Sequence, residues 1–436
     1  MPAHLAGKLE PPPEVERIAR TLEKAGFETW CVGGAVRDAL LGHPHLDWDL
    51  ATAARPDEVR KLFRRTVPVG IEFGTVGVLD NENVMHEVTT FRRDVNTDGR
   101  HAVVEFGVSL EEDLARRDYT INAIAFSPLT REERDPFDGK KDLEKGIVRA
   151  VGEPAERMRE DRLRALRGIR FASRFDFQIE KETWTAITAS APHLTRLSAE
   201  RVKQEIEKTM EQVQKPSVAF KMWRDSGALE VLVPVLSSVT DLDLSAIDHV
   251  CLPGDSRHAA RQSSRRLARI TALFSPASTE QLADALKQLR FSNAEAKWIT
   301  SVITSWRQIA GEMSEALTER SEAPDVVLRR WAQIAGRTRL ASVIRLAAAR
   351  WAAERNSGMS APTRRRVMSV YRKALRIAYR DPIEVADLAV GGVDLEEIGL
   401  RGPAVGRVLR KLLENVINDP AVNTRERLLA LAANEK

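Results

Sequence analysis

The stretch that most constrains this chain covers residues 29–51, with the sequence TWCVGGAVRDALLGHPHLDWDLA. It predicts a strand that runs into a Gly33-Gly34 turn, then a short helix, then a second strand that carries Asp47 and Asp49. Side chains two positions apart on a strand point to the same face, so these carboxylates should project together. Two like charges this close repel unless a cation lies between them, and oxygen ligands suit a hard cation such as Mg²⁺. The pair therefore predicts a metal site.

The glycine turn fits the same chemistry. Gly33 and Gly34 have no Cβ, so backbone N–H groups and the N-terminus of a helix over residues 35–41 can approach a phosphate closely. Arg37, in the first turn of that helix, can add a charged fork to phosphate oxygens. Neither a Walker A sequence nor a G-x-G-x-x-G pattern is present. An Asp-x-Asp pair alone is more often solvated surface at a strand edge, and the preceding Gly-Gly is what favours a metal-dependent nucleotidyltransferase.

Composition narrows the class of protein. The 436 residues suffice for about two to four domains with their own cores. The net charge is only +4, so a basic surface must come from an uneven distribution of arginine. There is neither a long apolar run nor a signal-peptide core, which predicts a cytoplasmic protein without a membrane segment. Cys31 and Cys251 lack metal-ligand spacing and predict neither a disulfide framework nor a zinc site.

A third carboxylate is predicted on a neighbouring strand. Residues 1–13 are expected to be disordered and residues 14–24 to form an amphipathic helix. Residues 67–91 predict extended segments, in which the alternation of VMHEVTTF places Glu87 on one face. Glu87 can therefore meet the aspartate pair and complete a two-metal site. Without the aspartates it would be a surface glutamate.

The next segments are predicted from turn and capping residues. Residues 94–101, DVNTDGRH, are polar and turn-rich, which predicts a mobile loop. Ser109 and Glu112 form a capping box, and the helix that they open is expected to carry ARRDYTINAIAF, residues 115–126. The sequence DPFDG at residues 135–139 is turn chemistry and a candidate junction between lobes.

From Glu153 onward the pattern is helical almost to the end. A helix over residues 160–175, EDRLRALRGIRFASRF, interleaves arginines with apolar side chains, so some arginines are partly buried and need partners. Asp161 and Arg164 should share a face, whereas the plainer alternative is a salt bridge between Glu160 and Arg164. Later arginine clusters indicate either a solvated face or a nucleic-acid contact. These clusters contain Arg329, Arg330, Arg364, Arg365, Arg366, Arg372 and Arg376.

Several separated motifs together resemble the class II tRNA nucleotidyltransferase/poly(A) polymerase family of the polymerase β superfamily. The matching pieces span roughly residues 28–210 in the family's order, and they are GGAVRDALLG with DWDLAT, HEVTTFR, RRDYTINA, DPFDG, EDRLRALRGIRFA and LSAERVKQEIEK. The resemblance implies an α+β protein, in which a polymerase-β-like nucleotidyltransferase head with a mixed five-stranded sheet precedes an all-α neck, body and tail. The implied boundaries are a disordered N-terminus over 1–13, a head over 14–150, a neck over 151–215, a body over 216–380 and a tRNA-binding tail over 381–436.

The resemblance also implies roles for single residues. The catalytic positions match Asp47, Asp49 and Glu87, with Mg²⁺ on the two aspartates. Sugar and phosphate contacts match Arg117, Asp118 and Asn122. The nucleotide-selection motif matches Glu160, Asp161, Arg164 and Arg167. In that motif an aspartate accepts from the exocyclic amine that C and A share, and an arginine donates to the ring nitrogen. U or G would place acceptor against acceptor and donor against donor.

The predicted function is CCA addition, in which CMP is transferred twice and AMP once from CTP and ATP to a tRNA 3′ end, with release of pyrophosphate. Within the family the alternatives are a poly(A) polymerase, a CC-only enzyme and an A-only enzyme. The chain has VGIEFGTV where bacterial poly(A) polymerases of the family tend to carry a Gly-Arg-Arg-Phe-like signature. A non-catalytic tRNA-binding protein is the alternative from another class, and the paired carboxylates argue against it because binding alone does not need them.

Overall fold

The computed structural model describes residues 5, 7–43, 47–97, 102–250, 259–318 and 322–435. The chain forms two compact units, which we call the N-terminal unit (residues 1–234) and the C-terminal unit (residues 235–436). The finer division into head, neck, body and tail stays a prediction.

The N-terminal unit is built on a mixed sheet. Its strands are β1 (Thr29–Val32), β2 (Asp49–Thr52), β3 (Thr66–Gly70), β4 (Thr75–Leu79), β5 (Met85–Thr90), β6 (Arg92–Thr97), β7 (Ala102–Phe106), β8 (Ala125–Phe126), β9 (Glu133–Arg134), β10 (Ile147–Val148) and β11 (Gln178–Ile179). Seven of these strands form one sheet in the order β3-β4-β5-β2-β1-β8-β9. The predicted mixed sheet is confirmed, but it has two strands more than expected, because the short strands β8 and β9 extend the edge beyond β1.

The pairing of β2 with β5 brings the predicted carboxylates to neighbouring strands. These two strands run parallel with Leu50 opposite Val88, so Asp49 lies opposite Glu87. The alternation of β5 follows its sequence, since Val88 is buried and Met85 and Glu87 are exposed.

The segment predicted as a loop over residues 94–101 is partly a strand. Residues 94–97 belong to β6, which pairs with β7 in a separate antiparallel sheet, and residues 98–101 lie outside the described part of the chain. The prediction was wrong for residues 94–97 because cross-strand pairing compensates for their polar composition, as the Arg93–Glu105 salt bridge at 2.8 Å illustrates.

Eleven helices accompany these strands in the described part of the N-terminal unit. They are α1 (Pro13–Lys24), α2 (Gly34–Leu40), α3 (Pro56–Leu62), α4 (Leu110–Ala115), α5 (Gly139–Lys145), α6 (Pro154–Glu160), α7 (Leu163–Phe175), α8 (Lys181–Ser190), α9 (Ala199–Gln212), α10 (Pro216–Asp225) and α11 (Ala228–Leu232). Buried Leu110 and Leu114 of α4 pack with Trp30, Val32 and Phe91 in one apolar cluster. This cluster fixes α4, and with it the chain that follows, against the sheet.

The N-terminal prediction is partly corrected. The helix expected over residues 14–24 is confirmed and begins one residue earlier, at Pro13. Residues 7–12, however, are not disordered, because Gly7 N–H donates to Leu40 O at 3.3 Å and Pro11 is buried. Residues 1–4 and 6 lie outside the described part of the chain.

Two predicted helices are interrupted. The helix expected to carry residues 115–126 ends at Ala115 and is followed by a single 3-10 turn at Thr120–Asn122. The helix expected over residues 160–175 breaks at Asp161, whose backbone is extended with φ −142° and ψ 106°. Asp161 Oδ1 accepts from Leu163 N at 3.0 Å, so its side chain caps the start of α7 instead of continuing α6.

The C-terminal unit is all-helical in its described residues, which confirms the prediction for this half. Its helices are α12 (Asp241–Asp248), α13 (Ala259–Phe274), α14 (Thr279–Gln288), α15 (Asn293–Thr318), α16 (Asp325–Ala335), α17 (Arg337–Asn356), α18 (Arg364–Arg380), α19 (Gly392–Glu397), α20 (Pro403–Asn418) and α21 (Arg425–Ala433). Across all described residues, none of the helices combines the length and the apolar character needed to cross a bilayer.

Candidate active site

Asp47, Asp49 and Glu87 interact at the start of β2, and we call this group of carboxylates the acidic edge. Asp49 is the first residue of β2, and Asp47 is exposed two positions before it. Burial raises the pKa of Asp49 to about 6; the neighbouring charge of Glu87 and, more weakly, that of Asp47 add to this rise, whereas Arg117 opposes it. The site thus concentrates negative charge that is only partly compensated, which is the electrostatic condition for holding a cation.

The donor set suits a metal that is shared with a substrate. Within the described ranges, no three His, Cys, Asp or Glu side chains stand close enough together to form a complete metal cage. Mg²⁺ usually takes one or two protein carboxylates and completes its shell with water and substrate phosphates. Asp47 and Asp49 therefore fit Mg²⁺ better than they fit a metal that is enclosed by protein ligands alone.

Arg117 lies over the glycine turn and faces the same acidic edge. Gly33 has φ 75°, and a Cβ at this position would lie 3.1 Å from Arg117 Nη1. Arg117 Nη2 donates to Asp113 Oδ2 at 3.0 Å, which holds the guanidinium in place. Its Nε is buried and has no hydrogen-bond partner in the described structure. An oriented cation with a free donor beside a glycine turn fits the phosphates of a nucleotide.

Arg37 has a different environment from the one that the sequence suggested. Its guanidinium is buried, donates to Asp38 Oδ1 at 2.6 and 2.8 Å, and also donates to Asn122 Oδ1. It stacks within 5.0 Å of the ring centres of Phe171 and Phe175. In this structure Arg37 therefore ties α2 to α7 and does not point toward solvent, so a phosphate contact from Arg37 stays a prediction.

Asp118 is a buried anchor. Its Oδ1 accepts from Tyr119 N at 2.9 Å and Asn122 Nδ2 at 2.8 Å, and its Oδ2 accepts from Arg167 Nε and Nη2, each at 2.8 Å. Burial alone would raise the pKa of Asp118, but the charge of Arg167 and the hydrogen bonds from Asn122 and Arg167 lower it to about 2. Four donors fill the acceptor sites of a carboxylate. Asp118 thus holds Arg167 in this structure, and Asn122 in turn holds Asp118. Their contact with sugar or phosphate stays a prediction.

The residues predicted to select the nucleotide are brought together, but on different elements. Arg164 donates to Glu160 Oε2 at 2.6 Å and to Arg116 O at 2.9 Å. Asp161 does not share a helical face with Arg164, because the chain breaks between them; its Oδ2 accepts from Arg201 Nη2 at 2.7 Å. The Glu160–Arg164 salt bridge, the plainer alternative from the sequence, is present. It leaves Asp161, with a side chain 31 % exposed, as the more accessible of the two base-reading candidates.

Sequence reasoning did not single out several residues that shape this site. Asp113 lies four residues before Arg117 on the α4 side, and this spacing alone could have indicated the pair. Arg157 Nη1 donates to Ala115 O at 3.1 Å and so docks α6 onto the end of α4. Arg201 belongs to the recognised LSAERVKQEIEK motif, but its partner lies 40 residues away, and no local signal identifies that contact.

The later arginine clusters separate into two kinds. Arg329 is buried and donates to Ile417 O at 2.7 Å and to Asp381 Oδ2 at 3.1 Å. Arg330 forms a salt bridge with Glu312 at 3.0 Å. These two arginines are thus paired within the protein. In contrast, four arginines of α18 are exposed and form no salt bridge with any described residue, namely Arg364, Arg365, Arg372 and Arg376.

Within the N-terminal unit, the mixed sheet, the glycine turn and the paired aspartates at the start of β2 are typical of a nucleotidyltransferase head. Residues 29–149 match the family described as Poly A polymerase head domain, and residues 176–239 match the one described as Probable RNA and SrmB- binding site of polymerase A. These two matches lie in the part of the chain whose motifs resemble the tRNA nucleotidyltransferase/poly(A) polymerase family, and they support that prediction.

Similar proteins support the same resemblance. The chain is 50% identical over 204 residues to a CCA-adding enzyme of Streptococcus mutans, covering 46% of this chain and 50% of that protein. A CCA-adding enzyme of Streptococcus gordonii is 50% identical over 244 residues, which is 53% of this chain and 59% of the relative. The chain thus spans about half the length of the curated relatives it matches.

Solved structures match over nearly the whole chain. The CCA-adding enzyme of Bacillus stearothermophilus in complex with CTP has a TM-score of 0.72 and 29% identity, over 97% of this chain and 98% of that one. The Thermotoga maritima CCA-adding enzyme complexed with tRNA_CCA has a TM-score of 0.66 over 98% and 97% of the two chains. Its 19% identity supports the fold alone.

Proposed function

We propose that this protein is a CCA-adding tRNA nucleotidyltransferase that transfers CMP, CMP and AMP from CTP and ATP to the tRNA 3′ end and releases pyrophosphate. The observation that carries the proposal is the acidic edge itself, where Asp49, Asp47 and Glu87 interact beside Arg117 and the Gly33 turn. Binding alone would not need this concentration of like charge. The names of the similar proteins, and the complex of one of them with CTP, support the choice of reaction and substrate.

Each residue of the site would have its own role in this reaction. Asp47 and Asp49 would hold Mg²⁺, which when bound lowers the pKa of an attacking hydroxyl and stabilises a pyrophosphate leaving group. Arg117, oriented by Asp113, would bind the triphosphate above the glycine turn. Glu87 would keep the cation in place by charge and help to orient the RNA hydroxyl. These roles need no template strand.

Base selection would be carried by Asp161 and Arg164. The carboxylate of Asp161 is held by Arg201 and is accessible enough to accept from the amine of C or A. Arg164 is only 7% exposed and is already bonded to Glu160 and the Arg116 carbonyl, so it would have to release one of these contacts to reach a base. Selection would then depend on a change within the protein, not only on a preformed pocket.

The decisive experiment is incorporation of single labelled nucleotides into tRNA transcripts that end before CCA, at C and at CC. We expect CMP, CMP and AMP to be added in that order, and Asp47→Asn and Asp49→Asn to reduce all three additions to background while tRNA still binds. Asp57→Asn is the matched control, because Asp57 is an exposed aspartate that pairs with Lys61 on α3. Near-normal incorporation by either active-site variant would remove that residue from the mechanism.

A second experiment addresses selectivity. Arg164→Ala should raise UMP or GMP incorporation relative to CMP and AMP in a competition among all four nucleotides, because the donor that opposes the wrong base edge is gone. Arg159→Ala, on the exposed face of α6, is the control. Unchanged selectivity would assign Arg164 to the salt bridge with Glu160 alone.

The paired strands β6 and β7 allow the alternatives within the family to be separated. Adding A after CC requires the same pocket to accept a larger base, so an element outside the pocket must reset it. We propose that residues 94–101 act in this way. Replacing residues 97–102 by Asn-Gly should preserve CMP addition and strongly reduce AMP addition to a tRNA that ends in CC. A poly(A) polymerase would instead add many AMP residues, and a CC-only enzyme would stop before A.

The cellular location of the protein is part of the same proposal. A protein that repairs or completes tRNA ends would act in the cytoplasm, where CTP, ATP and tRNA are found together. Fractionation of the source cells, with tRNA nucleotidyltransferase activity followed in each fraction, tests this expectation.

A further inference from the structure

A cleft in the C-terminal unit is lined by apolar side chains and by three arginines. It lies between α17 and α18, has a volume of about 240 Å³, and includes His249 in its lining. The α17 positions 345, 348, 352 and 355 are spaced three or four residues apart and therefore share one face of that helix. The lining consists of His249, Ile344, Arg345, Ala348, Ala352, Arg355, Arg364, Val367, Met368 and Tyr371.

Small side chains on one wall create the space. Ala348 and Ala352 leave room opposite Met368, which is 41% exposed, and opposite the ring of Tyr371. The volume is somewhat below the roughly 300–1,000 Å³ of pockets that enclose drug-sized ligands. The cleft therefore suits one flat ring rather than a whole nucleoside triphosphate.

The charge of the cleft is uncompensated. Arg345 donates to the Tyr371 hydroxyl at 2.7 Å, and Arg355 donates to the Pro362 carbonyl. Neither these two arginines nor Arg364 forms a salt bridge in the described part of the chain, and the lining contains no carboxylate. Arg350 of the same helix shows the contrast, because it pairs with two carboxylates.

The start of α18 adds to this positive charge. Residues 364–366 place three arginines in the first turn, which contains no acidic residue. Cations are disfavoured at a helix N-terminus, where the backbone dipole is already positive. A bound anion at this position would therefore be favoured both by the helix dipole and by the charges of the exposed Arg364 and Arg365.

We propose that this cleft binds one unpaired nucleotide of the tRNA, with the base between the α17 residues Ala348 and Ala352 and the α18 residues Met368 and Tyr371. The adjoining phosphates would lie on Arg345 and Arg364. The proposal rests on the proposed function for the identity of the RNA. Proteins recognise unpaired RNA bases by stacking them on aromatic rings and arginine planes, and the Arg345 guanidinium lies 5.7 Å from the Tyr371 ring centre. An acidic peptide would carry its charge and its apolar groups on separate residues, whereas a nucleotide joins a ring to a phosphate.

The exposed surface of α18 continues the path. Arg372 and Arg376 follow Met368 at intervals of four residues and so lie on the same side of the helix. Both are exposed, and neither forms a salt bridge in the described structure. They extend the positive surface beyond the cleft. The phosphate backbone on one side of the bound nucleotide would follow this surface.

The test separates base stacking from charge. Ala348→Trp fills the cleft, and Tyr371→Leu removes the ring while keeping an apolar side chain. Each should weaken binding of a tRNA transcript by about tenfold, the range expected when a stacked base loses its platform. The slope of log affinity against log salt should not change, because no charge is removed. Arg364→Ala should flatten that slope by about one phosphate contact.

Ser369→Trp is the matched control, since Ser369 is an exposed neighbour of Met368 that does not line the cleft. It should bind tRNA like the parent protein. Thermal unfolding of every variant checks the fold, and if Ala348→Trp is unstable, Tyr371→Leu and Arg364→Ala still carry the test. Photocrosslinking with 4-thiouridine-substituted tRNA should give adducts on the peptide that contains Met368 and Tyr371, and Ala348→Trp should abolish them.

Parental affinity of both Ala348→Trp and Tyr371→Leu, or crosslinks that map elsewhere, would overturn the proposal. So would unchanged tRNA binding together with loss of binding to a polyglutamate peptide, which would assign the cleft to a protein partner. A parent protein that binds tRNA through the cleft but adds no nucleotide would refute the proposed function and leave this site standing. Failure of the parent to bind any tRNA would refute both.

Discussion

Replacing Asp118 by Asn should destabilise the N-terminal unit measurably. The pKa of Asp118 is lowered from 3.8 to about 2, which corresponds to roughly 2–3 kcal/mol in favour of the folded state at neutral pH. Breaking a buried ion pair usually costs about 3–5 kcal/mol, but the side chain of Arg167 is 33% exposed, so water can solvate part of its charge. We therefore expect Asp118→Asn to lower the free energy of unfolding by about 2–3 kcal/mol.

The dependence on pH gives this prediction a second readout. Because the pKa is lower in the folded than in the unfolded state, the stabilisation is fully present above about pH 4, is about half lost at pH 3, and disappears as the pH falls through 2. Urea unfolding followed by tryptophan fluorescence should show a constant difference between parent and variant from pH 7 to pH 5 and a smaller one near pH 3.

Hydrogen exchange at neutral pH should locate the loss in the peptide over residues 113–126. Asp138→Asn serves as control, because Asp138 is an exposed aspartate in the same unit with only a 3.9 Å contact to Lys141. The reasoning about the anchor fails if Asp118→Asn unfolds at the same urea concentration as this control.

Two further substitutions test other contacts of α7. Gly168→Ala should lower the free energy of unfolding by about 1–3 kcal/mol, because the new methyl group would lie 2.2 Å from the Tyr119 hydroxyl. A midpoint of urea unfolding equal to that of the parent would contradict this packing. Glu205→Gln should lower the free energy of unfolding by about 3–5 kcal/mol, because it leaves Arg170 buried without the carboxylate that now lies 2.5 Å away. An unfolding temperature in calorimetry equal to that of the parent would contradict this ion pair.

Much of the head could be predicted because its signals are local. The Gly33-Gly34 turn, the alternation around Glu87 and the Ser109 capping box each lie within a few residues of the structure that they specify. Local alternation also identifies which face of β5 is exposed. The interaction of Glu87 with the aspartates then required only one further assumption, that β5 pairs with β2.

The remaining features depend on partners that are distant in sequence. Arg37 has the spacing of a phosphate ligand, but Phe171 and Phe175 stack on it from more than 130 positions away. The break at Asp161 has no Gly or Pro to mark it, and the apolar periodicity continues across it. Only the hydrogen bond from Leu163 N and the contact with Arg201 reveal why the helix stops there.

That break has a geometric consequence. Two side chains three apart on one continuous helix are a fixed distance from each other, since every backbone torsion between them is set by the helical hydrogen bonds. The extended backbone of Asp161 replaces that fixed spacing with one adjustable torsion pair ahead of α7, whose first turn carries Arg164. A small rotation there changes the gap between a carboxylate and a guanidinium without altering either group. In the base selection that we propose, the same two residues would therefore contact a pyrimidine at one setting and a purine at another.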